Sequence, residues 1–489
     1  MTSPTTPHVV NSAHQAWFDG TARRPDGLSL VSRRNLLKAG MAGIGGLSLA
    51  NLLRHEQSAH AGLKSDSPDG KSVILLWMAG GPSHIDTWDP KPDRPVNNRG
   101  PFDVIQTKQP GTLICDRLPL MAERLDKFSI LRSVDCKGSS HQPNMVMQTG
   151  NREAAPRTNP KGDRYPSHGS IVAKHCGPVQ PGMPPYVAFQ THPTHIGYAG
   201  WLGKQYDPFI ANNATKLPIY TNVGKDTGKM SGADVFQLPS GLNLERLKNR
   251  QNLVADFDQL RRDLDLRGSM DAVDSYRAQA VDLLVGRRAQ EAFDLSREPD
   301  ETRAKYGKHL WCQQALLARR LVEAGSRFVT LDLSYHPASG TWDNHGDNIP
   351  PYGGISRGLG PLLPLFDHLI TTLVDDLEAK GLLENTLVIA MGEFGRTPNM
   401  GTQGSTDGRD HWPVVMSMAM AGGGLTHGQT IGATEADGGA IQHRPITPGD
   451  LSATIYRYFG IPLGTTYEDE RNRPRYIVED GQPIEELFS

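Results

Sequence analysis

Carboxylates and imidazoles gather in five short stretches of this chain, and those are the side chains that hold a divalent cation. The stretches are Gly80-Gly81-Pro82-Ser83-His84-Ile85-Asp86, Ser139-Ser140-His141, Trp342-Asp343-Asn344-His345, Gly392-Glu393-Phe394-Gly395-Arg396 and Arg409-Asp410-His411. Asp, Glu and neutral His are the usual donors to zinc and to harder metals. His84, Asp86, Asp343, His345, Glu393, Asp410 and His411 are therefore the candidate ligands. Ser140, followed by His141, adds a hydroxyl that a metal-bearing site could turn into a nucleophile. Arg396, with Arg409, offers a planar fork of N–H donors suited to phosphoryl or sulfonyl oxygens. Each also has a plainer reading. Asp343-Asn344-His345 fits a polar turn, Glu393 fits a helix-start cap or a partner for Arg396, and the arginines fit neighbouring carboxylates. Only convergence on one place would separate the two.

The elements that would bring about that convergence are legible as apolar runs. Residues 72–78 (SVILLWM), 128–132, 327–333 (RFVTLDL) and 386–391 (TLVIAM) are short and continuously apolar, the pattern of strands buried on both faces. Each empties into one of the stretches above, and the Asp410-His411 pair precedes a further strand at 414–420. Helical spacing separates the strands. Residues 118–127 carry it, a helix from about Leu310 stops at Gly325, and another with Phe366, Leu369, Ile370, Leu373 and Leu377 inward stops at Gly381. Thr447-Pro448-Gly449-Asp450 reads as a capping box with Pro at the first helical position, opening a last helix that closes at Gly460. This alternation predicts an α/β fold, a mostly parallel sheet wrapped by helices on both faces, with ligands at the carboxyl ends of the strands. Residues 143–241 read as loop-rich, and 241–296 as a helical insertion of two amphipathic helices.

Composition narrows the class. Among 489 residues, 51 Lys and Arg nearly cancel 53 Asp and Glu, with no basic block interleaved by aromatics, which argues against a nucleic-acid partner. Ser32-Arg33-Arg34-Asn35-Leu36-Leu37-Lys38, a Gly/Ala-rich run over 39–53 and Ala59-His60-Ala61 follow the order of a twin-arginine leader with its cleavage triplet. Residues 1–61 are accordingly expected to be a signal peptide with a polar extension, and 62–489 a single exported, periplasmic domain. The expected partner of the leader is the twin-arginine export machinery. Beyond residue 61 no apolar run approaches the roughly 20 residues of a membrane span. Cys115, Cys136, Cys176 and Cys312 lack metal-site spacing and read as small buried hydrophobes, with one disulfide left open.

The stretches GGPSHIDTWDPKP, WDNHGDN, GEFGRTPNMG and GRDHWP, together with the leader, resemble the domain of unknown function 1501 family, regarded as related to the alkaline phosphatase and sulfatase superfamily. The resemblance covers about residues 70–465. It implies an alkaline phosphatase-like domain holding one or two divalent ions (Zn, Ca, Mg or Mn) and cleaving phosphate or sulfate esters of small molecules or polysaccharides. It also implies that His84 or Asp86, Asp343 with His345, Glu393 and His411 take ligand positions. Met147-Gln148-Thr149-Gly150 resembles a motif that follows the sulfatase nucleophile, and counting back from it lands on Ser140. Gln142 and Asn144 replace the Pro and Arg of the sulfatase maturation pattern, so Ser140 is expected to stay serine. Phe394 stands where a second ligand would be, which leaves open a non-catalytic metal- or glycan-binding envelope protein. A transferase acting on cell-surface polymers is the other alternative.

Overall fold

The computed structural model describes residues 70–141, 144–223, 225–232, 235, 287–336, 340–346, 352–401 and 404–489, and two short strands before them. The chain divides into two compact units, Met1–Ser65 and Asp66–Ser489. Of the first, only the antiparallel pairing of Thr21–Arg23 with Ser29–Val31 is described. The arginine pair, the apolar run and the cleavage triplet of the expected leader lie outside the described residues. So do positions 241–286 of the expected helical insertion, of which the helix Arg287–Phe293 is described.

The second unit is built on an eight-stranded sheet. Its strands are β1 (Ser72–Trp77), β2 (Phe128–Val134), β3 (Tyr186–Phe189), β4 (Phe209–Ile210), β5 (Phe328–Asp332), β6 (Thr386–Met391), β7 (Met416–Gly422) and β8 (Gln429–Ile431). They lie in the order β8-β2-β7-β6-β1-β5-β3-β4. Strand β7 runs antiparallel to β6 and β2, and every other neighbouring pair is parallel. The continuous apolar runs follow from this arrangement, because both faces of the central strands are covered. On one face Ile74, Leu76, Val329, Leu331, Val388 and Ala390 pack with helices α2 (Leu310–Ala324) and α3 (Gly360–Ala379). On the other, Val73, Leu75, Leu387 and Ile389 pack with α1 (His168–Cys176) and α4 (Pro448–Phe459). Helix α4 begins with the expected capping box: Thr447 Oγ1 accepts from Asp450 N at 3.1 Å, and Thr447 N donates to an Asp450 carboxylate oxygen at 2.8 Å.

The loop-rich expectation for 143–241 is corrected. That stretch holds α1, β3 and β4, and an antiparallel hairpin of Leu217–Asn222 with Lys225–Ser231. Helix α1 escaped the periodicity argument because its buried N-terminal turn is His168-Gly169-Ser170 rather than large apolar residues. Gly169 is needed there: a Cβ would stand 2.7 Å from the Tyr186 ring. The imidazole of His168 shares a 2.8 Å hydrogen bond with Ser452 Oγ of α4. The four cysteines form no disulfide with one another, so the bond left open is not formed. Burial pushes the Cys136 and Cys312 thiols up to about 12, out of reach of thiolate chemistry.

Full burial brings the His168 pKa down to about 3, and burial likewise brings His309 down to about 4. An unfolded chain takes up these protons near pH 6.5. Stability contributed by the neutral imidazoles is therefore complete above that pH and lost progressively as pH falls toward the folded values. Urea unfolding between pH 6.5 and 4.5 should show His168→Gln with a slope smaller than the parent's by about 1.4 kcal/mol per pH unit. Parallel slopes would contradict the assignment.

Candidate metal centre

Four strands deliver the candidate residues to one edge of the sheet, each for a stated topological reason. Strands β2, β5 and β6 are parallel and end at the same edge, so the loops that follow them carry His141, Asp343 with His345, and Glu393 there. Strand β7 runs the other way, so the residues that precede it meet the same edge. Gly395–Arg396 pairs antiparallel with His411–Trp412, which brings Arg396 opposite His411. The loop after β1 comes equally close. Trp342 N donates to Ala79 O at 3.0 Å, and a Cβ on Gly80 would lie 2.3 Å from Asp343 N. Gly80 also sits at φ +117°, so glycine is required twice over.

His141, Asp343, His345 and His411 each offer one donor atom, and these atoms lie within 4.8 Å of one another. The carboxylate of Asp343 is the hub. Its Oδ1 is 3.0 Å from His345 Nε2 and 3.4 Å from His411 Nε2, while Oδ2 is 3.3 Å from His141 Nε2. The Nε2 atoms of His141 and His411 face each other at 2.6 Å. Behind the cluster, Glu393 Oε1 accepts from Gly80 N at 2.9 Å and meets His141 Nδ1 at 2.5 Å, which aims the other ring nitrogen inward. Phe394, 2% exposed, places its ring 4.7 Å from His141 and 5.0 Å from His411 and keeps water off that side.

Several sequence expectations need correction. Arg396 is fully buried, and its donors are spent inside the protein: Nη2 on Asp343 Oδ1 at 2.6 Å and on Gly80 O, Nε on Gly81 O at 2.8 Å, and Nη1 on Arg409 O at 3.3 Å. It positions Asp343 and has no fork left for a substrate. Asp86 is turned away and paired with Arg409, whose Nε donates to it at 2.6 Å. Arg409 gives its other nitrogens to backbone carbonyls, among them Asn98 O at 2.6 Å. His84 Nε2 donates to Gly438 O at 2.8 Å, and burial lowers its pKa. Neither His84 nor Asp86 joins the donor group. Glu393 lies one layer out as the partner of His141, and His141, placed by sequence beside the nucleophile, supplies a donor atom instead. Asp410 Oδ1 accepts from His411 N at 2.7 Å and is 3.5 Å from His345 Nδ1. Ser140 is half-buried on the residue before His141.

The electrostatics favour a cation. Against the cost of burial, the Arg396 guanidinium and the surrounding imidazoles hold the Asp343 carboxyl far below the usual carboxylate range. Burial opposes charge on His141, but the Asp343 and Glu393 carboxylates outweigh it and raise its pKa. Burial brings His411 down to about 4, with Arg396 and His141 adding to the fall, so at ordinary pH it is the neutral imidazole that can ligate a metal. Asp343 Oδ2, Glu393 Oε2 and His345 Nδ1 are buried without a hydrogen bond. Unpaired acceptors around a carboxylate and three imidazoles are what a metal ion satisfies. The residues present can bind a metal.

Residues 70–488 match the family described as "Protein of unknown function (DUF1501)". Among curated proteins, none matches this sequence. Similar solved structures include Ps i-CgsB, at 11% identity and TM-score 0.39, with 85% of this chain and 75% of that one covered. The PsFucS1 sulfatase from Pseudoalteromonas sp. is 12% identical at TM-score 0.36, covering 83% and 70%. The phosphonate monoester hydrolase SpPMH from Silicibacter pomeroyi is 10% identical at TM-score 0.33, covering 86% and 76%.

Removing one partner of a buried pair strands the other charge, at a cost of about 3–5 kcal/mol. Asp343→Ala should lose that much stability in denaturant unfolding, whereas His411→Ala, whose side chain is 36% exposed, should lose a small fraction of it. Both should lower bound zinc in elemental analysis. Equal stability losses, or zinc content unchanged in both, would contradict the arrangement.

Proposed function

The chain belongs to the DUF1501 family, and within it we propose an exported, metal-dependent hydrolase of phosphoric or sulfuric esters on an alkaline phosphatase-like architecture. One observation carries the reading: the loops after β2 and β5 and the segment before β7 contribute His141, Asp343, His345 and His411 to one point. Three imidazole nitrogens with one carboxylate oxygen suit zinc or a similar transition ion better than magnesium or calcium, which prefer oxygen shells. Bound there, such an ion supplies a Lewis acid and lowers the pKa of an attached water or hydroxyl toward about 7.

The chain's own residues divide the remaining work. Glu393 fixes the tautomer of His141 by accepting a hydrogen bond from Nδ1–H, so that Nε2 presents its lone pair to the cluster. Arg396 keeps Asp343 ionised and oriented. His411, at the partly open side, borders the approach from solvent. Phe394, buried against His141 and His411, excludes water from its side of the cluster and lowers the local dielectric, which strengthens every charge interaction inside. Ser140, adjacent to His141, is the proposed nucleophile, and it acts as an unmodified serine.

A second reading has an observation of its own. Four protein donors fill a tetrahedral shell, whereas catalytic zinc commonly keeps one position for water or substrate. A closed centre of that kind would suit a metal-bearing or glycan-binding envelope protein without turnover. Zinc-loaded protein lacking residues 1–61 separates the two when offered aryl phosphate, phosphodiester and sulfate esters. The hydrolase reading expects turnover of at least one class, lost on chelation and restored by zinc. Full metal loading without turnover of any class supports the closed centre. Glu393→Gln should weaken zinc affinity about 10–100-fold, and Ser140→Ala should abolish turnover while leaving bound zinc unchanged. Retained turnover in Ser140→Ala would reassign the nucleophile to water.

A further inference from the structure

Beside the donor cluster lies a second group of polar side chains that the proposed chemistry does not use. Asn144, three residues after His141, is 1% exposed, and neither its amide oxygen nor its amide nitrogen makes a hydrogen bond. Asp332 ends β5 at 2% exposure. Its Oδ2 accepts from Thr191 N at 2.8 Å and is 2.9 Å from His195 Nδ1, while Oδ1 has no partner. Ser334 Oγ and His336 Nδ1, on the segment leading from β5 toward Asp343, are also buried without a hydrogen bond.

The loops that carry these groups adjoin one another. Thr191 Oγ1 donates to Ser334 O at 2.8 Å, and Asn144 N donates to Thr194 O at 3.0 Å, so the loops after β2, β3 and β5 close together. The Tyr352 ring stands 5.8 Å from His336 and 5.8 Å from His345, which sets this group against the donor cluster.

Buried polar atoms are ordinarily paired, and a group of unpaired ones in adjoining loops marks a ligand position. Their chemistry selects the ligand. Asp332 Oδ1 only accepts, Asn144 donates and accepts, and Ser334 does either. An anion would meet the Asp332 charge. Among the described residues the donor cluster alone brings three or more His, Cys, Asp or Glu donor atoms within 4.8 Å of one another, so a second cation site of that kind is not present here. Hydroxyl groups both donate and accept, and a compound carrying several of them satisfies this mixture.

We propose that Asn144, Asp332, Ser334 and His336 form a hydroxyl-binding subsite, which seats the sugar or polyol half of an ester whose phosphoryl or sulfonyl group faces the His/Asp cluster. The assignment rests on the hydrolase reading for the identity of the ester, and on the unpaired atoms for the hydroxyl preference. Its test is saturation-transfer NMR on the zinc-loaded chain with galactose, galactose 6-phosphate and galactose 6-sulfate as probes.

Ring protons of at least one probe should be saturated by the parent protein. Ser334→Ala and His336→Phe should each weaken that binding about fivefold, the worth of one hydrogen bond to a neutral partner. Zinc content and thermal unfolding should stay at the parent's values, which excludes a merely structural effect. Equal binding in the parent and both variants, or no saturation with any probe, would overturn the proposal. Failure of the hydrolase reading would appear separately, as absent ester turnover, because binding of neutral galactose requires no reaction.

Discussion

The buried ion pair between Asp343 and Arg396 is the contact on which the rest of the centre depends. At 2.6 Å, with both side chains at most 1% exposed, it carries the desolvation cost of two charges. That cost is offset because the guanidinium is also anchored on the carbonyls of Gly80 and Gly81, and the carboxylate on three imidazoles. The pair thereby ties three loops into one unit: the loop after β1 supplies the carbonyls, that after β5 the carboxylate, and that after β6 the guanidinium. Oxygen Oδ2 of Asp343 is left pointing at His141 without a competing donor from the backbone.

Sheet topology makes such a tie achievable. Parallel strands open all their carboxyl ends onto one edge, and the single reversed strand, β7, lets the segment before it reach that edge as well. His411 therefore arrives from the opposite chain direction to meet His141 and His345. A second buried pair, Asp86 with Arg409, performs the same service beneath the first, holding the β1 loop against the segment that ends in His411. Glycine at 80 permits the close approach. Side chains that read as ligands or substrate forks in the sequence thus act as the framing of the site.

Much of this was legible beforehand. Strands β1, β2, β5, β6 and β7 announce themselves as apolar runs because burial on both faces demands it, and helices α2, α3 and α4 carry periodicity with clear stop signals. Strand β3, at four residues, and helix α1, which buries His, Gly and Ser, give no such pattern. At the site, position just past a strand end points to Asp343 and His345, and to Glu393 one layer out, while His411 is read from its place just before β7. The direction in which a loop side chain points is set by partners far along the chain, which is why sequence alone leaves Arg396 between a substrate fork and a carboxylate partner and does not turn His84 and Asp86 away from the cluster. His141 could have been read as a donor from its own position past β2, had the neighbouring hydroxyl of Ser140 not drawn the chemistry to itself.

The most direct measurement of the central claim is X-ray absorption at the zinc edge of the loaded protein. A shell of three imidazole nitrogens and at least one carboxylate oxygen near 2.0–2.1 Å is expected, with one imidazole lost in His141→Ala and one in His411→Ala. An all-oxygen shell, a sulfur ligand, or spectra identical to the parent's in both variants would contradict it.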